Sequence, residues 1–127
     1  MSFASSSVPK AIIPKLVDLP RDIFNSQEAI APLAGATTTI NTSTTDGGIG
    51  LDLTIINNAA ALGPASCLID KSKLVTLAAG ARFNISNVLW MQLEIRRGAA
   101  GAVNVDVYYA GVSYDLLKAI NPNFKMS

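Results

Sequence analysis

The 127 residues include no histidine. That removes the side chain most used as a general base near neutral pH, the commonest zinc ligand, and any Ser–His or Cys–His dyad. A histidine-ligated metal centre in a β-barrel is excluded on the same ground. Cysteine occurs once, at Cys67, so the chain cannot form an internal disulfide, and this usage suits folding in a reducing cytoplasm. Its neighbours Ala65, Ser66, Leu68 and Ile69 make Cys67 a small core residue rather than a nucleophile.

Charge is scarce as well. Asp, Glu, Lys and Arg supply 15% of the residues, where about a quarter is usual. Ten basic against nine acidic side chains leave a net charge of +1. The one adjacent basic pair is Arg96–Arg97, so nucleic-acid binding by phosphate neutralisation has little to work with. No apolar run approaches transmembrane length, and the N-terminus lacks the charged-then-apolar order of a signal peptide. Neither a membrane nor the usual export route is therefore expected. The glycines of "GGIG" (47–50) lack the lysine and the following helix of a phosphate-cradling loop.

What remains is abundant apolar surface on one domain-sized chain. Half of the residues are apolar, and a body with so few charges is expected to turn part of its surface to a partner, as in an oligomer or larger assembly. An ordinary Ala- and Thr-rich monomer is the alternative.

Residues 1–36 read as an extended N-terminal arm. In "SSSVPKAIIPKLVDLP" (5–20) the aliphatic residues Val8, Ile12, Ile13, Leu16, Val17 and Leu19 lie between Pro9, Pro14 and Pro20. Each proline fixes its own φ, lacks an N–H and pushes the preceding residue toward extended backbone, so a continuous helix is forbidden. Such a segment packs over its own domain or reaches a neighbouring subunit. An extended chain of about 30 residues spans up to roughly 100 Å, more than the width of one domain. Within "PRDIFNSQEAI" (20–30) a short helical turn capped by Asn25 or Ser26 is expected.

Residues 37–127 read as a β-rich body. "TTTINTSTT" (37–45) is a Thr-rich strand, "DGG" (46–48) a turn, and "IGLDLTII" (49–56) an alternating strand with Ile49, Leu51, Leu53 and Ile55 on one face. Residues 57–66 form a loop, and 67–70, 73–78 and 82–86 are short strands. In "VLWMQLEIRRGAAGAVNVDVYYAGV" (88–112) two alternating runs flank a Gly-Ala turn, which predicts a hairpin. Matching its apolar faces favours a register with Trp90 opposite Tyr108 and Gln92 opposite Asp106, because the competing one sets Glu94 against Asp106. A helical turn over 115–119 ends at Asn121-Pro122. Short strands with almost no helix predict an all-β fold, an antiparallel β-sandwich or jelly-roll-like body.

Three groups of residues offer chemistry on such a body. Glu94 and Asp106, on one predicted face, could approach the separation of roughly 5–10 Å that glycoside hydrolysis requires, although a solvated face explains them without a cleft. Asp46 and Asp52 could offer oxygens to calcium, or serve only a turn and an exposed strand. No catalytic, cofactor or metal site assembles from these residues. Trp90 and Tyr108 form an aromatic cluster expected to stack on a sugar, to anchor a protein partner, or to pack inside against a second sheet or the arm.

The arm, together with the strand block "KLVTLAAGARFNISNVLWMQLEIRRGAAGAVNVDVYYAG" (73–111), resembles the decoration (cement) proteins of tailed-phage capsids in architecture and composition. The resemblance implies a small protein, often trimeric, synthesised in the host cytoplasm and carried on the outer capsid surface of the virion. There the arm would grip the lattice of major capsid protein and stiffen it against internal pressure, without catalysis. The partner-binding residues would be Val8, Pro9, Ile12, Ile13, Pro14, Leu16, Val17 and Leu19 of the arm, with Trp90 and Tyr108 on the body. A carbohydrate- or receptor-binding module of a phage tail or fibre is the competing expectation.

Overall fold

A computed structural model describes residues 19–120 of the chain. Period-two alternation is strongest in Gly48–Asn57, where Ile49, Leu51, Leu53 and Ile55 are all buried. Around it stand β1 (Ile23–Ile30), β2 (Thr38–Asn41), α1 (Thr42–Asp46), this strand as β3, β4 (Ala65–Ile69), β5 (Lys73–Leu77), β6 (Arg82–Trp90), β7 (Gln92–Arg97), β8 (Val105–Ser113) and α2 (Tyr114–Ile120). They form two four-stranded sheets of order β1-β8-β3-β6 and β2-β7-β4-β5, with every pair antiparallel. Eight strands interleaved between two sheets in this order make a double-sheet jelly roll, so the predicted all-β class holds.

The predicted hairpin over 88–112 does not form. β7 pairs with β2 and β4, whereas β8 pairs with β1 and β3 in the other sheet. Trp90 is consequently opposite Gly50, and Tyr108 lies between Ser26 and Thr54. The reason is a corner at Met91, where the chain leaves one sheet for the other. The Asp70 carboxylate accepts from the Met91 and Gln92 N–H groups at 2.9 and 2.8 Å, and the Thr42 N–H donates to the Met91 carbonyl at 2.9 Å. Alternation passes unbroken through such a bend, so residues 88–96 look like one strand although they serve two sheets.

Two further expectations change. The Thr-rich strand stops at Asn41, whose side-chain oxygen accepts from the N–H groups of Ser43 and Thr44 at 3.0 and 3.2 Å and so caps the short α1. Gly47, at φ +65°, then closes the turn. Residues 23–30, read as arm with a helical turn, instead form strand β1 along β8. The expected helical turn at 115–119 is present as α2.

Between the sheets lies the main core, built from Ile40, Leu53, Ile55, Cys67, Trp90, Leu93, Ile95, Val105, Val107 and Tyr109 among others. Trp90 is fully buried, edge-on to Tyr109 with centroids 5.4 Å apart. Its indole occupies the space a side chain on Gly50 would need, so the pairing of these two positions requires glycine. A second cluster of Leu19, Ile49, Leu51, Val112 and Leu117 plugs the pole where α1 and α2 sit. At the opposite pole the buried Asn57 amide donates to the carbonyls of Gly63 and Leu77, both at 3.0 Å, and its oxygen accepts from the Asn104 N–H at 3.3 Å. One side chain thereby pairs with backbone groups of two connecting segments and of the end of β5.

Candidate functional site

Two neighbouring features of the first sheet combine accessible chemistry with fixed geometry. The first is the root of the N-terminal segment, Leu19–Asp22. Leu19 is 8% exposed and packs into the apolar cluster at the α1–α2 pole with Ile49, Leu51, Val112 and Leu117. Arg21 Nε donates to Asp52 Oδ2 at 3.0 Å, and its Nη2 donates to Asp52 Oδ1 at 3.1 Å and to Asn87 Oδ1 at 2.7 Å. Nη1 of the same guanidinium reaches the Leu19 carbonyl at 2.6 Å. This side-on pairing holds the Asp52 carboxyl below its ordinary range, with a further N–H bond from Asn87, against the opposing effect of partial burial. Asp22 accepts from both the N–H and the hydroxyl of Ser113, each at 2.7 Å, while its own N–H donates to the Gly111 carbonyl at 3.1 Å. The root is thus tied to β3, β6 and β8 at once.

The second feature is the outward face of the same sheet. Register places Phe24, Ala110, Asp52 and Ser86 in one row across the four strands, and Ser26, Tyr108, Thr54 and Asn84 in the next. Phe24 is 74% and Tyr108 39% exposed. Ala110 is the small member of its row, so the surface dips between Phe24, Tyr108 and Asp52 into an open groove of about 500 Å³. The Tyr108 hydroxyl donates to Glu28 Oε2 at 2.9 Å, and that bond pushes its pKa above the ordinary phenol value. Thr54 donates to Asn84 Oδ1 at 2.7 Å.

The sequence-predicted residues divide sharply. Val8, Pro9, Ile12, Ile13, Pro14, Leu16 and Val17 lie outside the described residues. Leu19 is inside, as the innermost residue of the root. Tyr108 stands on the outer face as expected, but Trp90 does not: it is buried between the sheets, following the internal-packing alternative. The two aromatics part because the hairpin that would have set them side by side is absent. For the same reason Glu94 and Asp106 are on different sheets, and no carboxylate pair forms between them. Asp46 accepts from Tyr109 at 2.6 Å and from Asn25 at 2.8 Å, away from the Arg21-bound Asp52, and no metal-ligating cluster of three occurs among the described residues. Phe24 and Arg21 were missed because they fell within a presumed arm; only Ile23 and Ile30 of β1 turn apolar side chains to the core, so no apolar alternation marked the strand.

No helix among the described residues is long and apolar enough to cross a membrane. No protein-family model matches the chain, and no curated protein does. Among solved structures, a chain of the disulfide-linked pili of Bacillus endospore appendages is similar at 13% identity and a TM-score of 0.47, covering 74% of this chain and 88% of that one. A Neisseria meningitidis protein is similar at 7% identity and a TM-score of 0.37, covering 83% and 98%. Neither likeness is close enough to inform function.

Proposed function

We propose that this chain is a structural virion protein that decorates a phage capsid. It binds the major capsid protein lattice as a trimer and grips it with the residues N-terminal to Leu19. The observation that supports this reading is the root itself. An arm that carries load between subunits must be fixed to its own body, or binding energy would be lost as the attachment frays. Here Arg21 and Asp22 pass any pull on the segment into β3, β6 and β8 rather than into one edge strand. Charge-assisted bonds of this kind are about twice as strong as neutral ones.

Deleting residues 1–18 from the full chain and adding the product to shells assembled from the major capsid protein tests the proposal. The expected result is a folded body, seen by an unchanged cooperative melt, that no longer co-sediments with shells. Undiminished occupancy by the shortened chain would refute it, as would a full-length chain that stays monomeric and leaves shells bare.

A further inference from the structure

We infer that the groove over Ala110 is a binding site for a neutral saccharide, separate from the shell-gripping segment. Its geometry is that of a stacking platform with polar edges. Phe24 on β1 and Tyr108 on β8 are diagonal neighbours across adjacent strands, a relation that sets side chains about 7–8 Å apart. Two exposed aromatic rings at that spacing, over a floor no higher than an alanine, leave room for a sugar ring whose C–H groups pack on aromatic surface. The groove, about 500 Å³, is open to solvent, so a ligand there lies along the sheet rather than inside a cleft.

Hydroxyl recognition is provided at the rim. Asp52 stands two strands from Phe24, about 10 Å away at the usual interstrand spacing, with Ala110 between them. Its carboxylate is held ionised and oriented by Arg21 and the Asn87 N–H. Oδ2 accepts from Arg21 Nε, and Oδ1 from Arg21 Nη2 and the Asn87 N–H, so Oδ2 keeps acceptor capacity for a ligand hydroxyl. Thr54 lines the groove on the next row, and because its proton is given to Asn84 Oδ1 its hydroxyl oxygen is turned to accepting. Tyr108 is locked by its bond to Glu28, so little side-chain entropy is lost when a ligand stacks on it.

Charge selects the class of ligand. Glu28, Asp52 and Asp106 are the carboxylates of this face, against Arg21 and Arg82, and Arg21 is engaged by Asp52. Anionic glycans and phosphates meet a face with acidic excess and are disfavoured. An apolar peptide would leave the carboxylates unanswered. A neutral, polyhydroxylated ring satisfies both the aromatic and the acceptor halves.

The full chain should be applied to an array of neutral and anionic oligosaccharides, and the strongest free oligosaccharide titrated by calorimetry against wild type, Phe24→Ala, Tyr108→Ala and Tyr108→Phe. Phe24 is exposed, so its substitution leaves the fold intact, checked by an unchanged melting temperature. The expected pattern is binding to neutral glycans, weakened about tenfold or more by either alanine and much less by Tyr108→Phe, which keeps the ring. Shell occupancy of Phe24→Ala should match wild type. An array without neutral binders, a preference for anionic glycans, or affinity untouched by both alanine variants would each overturn the assignment. So would lost shell occupancy in Phe24→Ala without any glycan binding, which would make this face a protein contact.

Discussion

At the scale of single residues, the titratable groups inside this protein are held in their neutral forms by burial. Cys67 is pushed up to about 11 from an ordinary value of 9.0, and Tyr109 is raised above 10.0, first by burial and then by its bond to Asp46. Because the folded state holds these protons more tightly than the unfolded chain, stability is fully present below about pH 9. It falls as pH rises, for Cys67 between about 9 and about 11, and for Tyr109 from about 10 upward. Tyr109→Phe is expected to cost about 1 kcal/mol at pH 7 through the lost hydrogen bond and to flatten the alkaline decline above pH 10. Urea midpoints at pH 7, 9 and 10.5 would check this, and an identical decline in the variant would count against it. Residue identity was the most legible layer of the sequence: the mostly apolar neighbours of Cys67 announced its burial, and no histidine-based chemistry had to be sought. Trp90 was harder to place, since the one residue that demands its burial is Gly50, forty positions away.

At the scale of elements, the sequence showed strands well and their partners poorly. β3, β5 and α2 stand close to where alternation and turn residues put them, because those signals act within a few residues. The corner at Met91 left no such trace. It is made by Asp70 and Thr42, which reach it only once the sheets have assembled. β1 was hidden for a related reason: it lacks apolar alternation, and three prolines upstream extended the presumed arm over residues that form a strand. The root that joins this strand to its neighbours carries its own prediction. Arg21→Ala should lower stability by about 1–2 kcal/mol at neutral pH, for a charge-assisted pair that is partly solvated. The folded-state pKa of Asp52 is depressed, so its contribution is present above the unfolded value of 3.8 and disappears as pH falls through the lower folded value. The gap between wild type and variant should therefore shrink as pH falls below 3.8. Denaturation curves at pH 7 and pH 3 that differ by equal amounts would contradict the assignment of this energy to the Arg21–Asp52 pair.

At the scale of the whole molecule, the root and α2 lie at one pole of the first sheet and the segments tied by Asn57 at the other. That sheet has a further property, which concerns time. Its second strand in space is its last in sequence: β8 lies between β1 and β3 and joins both. Until β8 has been synthesised, β1 has no partner in the sheet and β3 lacks one of its two. The buried row Ile49, Leu51, Leu53 and Ile55 then lies open in a chain with few charges to keep it apart from its copies. Pairings this distant form slowly and leave partly made chains prone to aggregate. A chain ending at residue 104 should be recovered as insoluble, protease-sensitive material where the full chain is soluble, and a soluble, cooperatively melting fragment would disprove the point. Translation of β8 is thus the step that decides whether a nascent chain can close its first sheet, and rapid passage through it protects the yield.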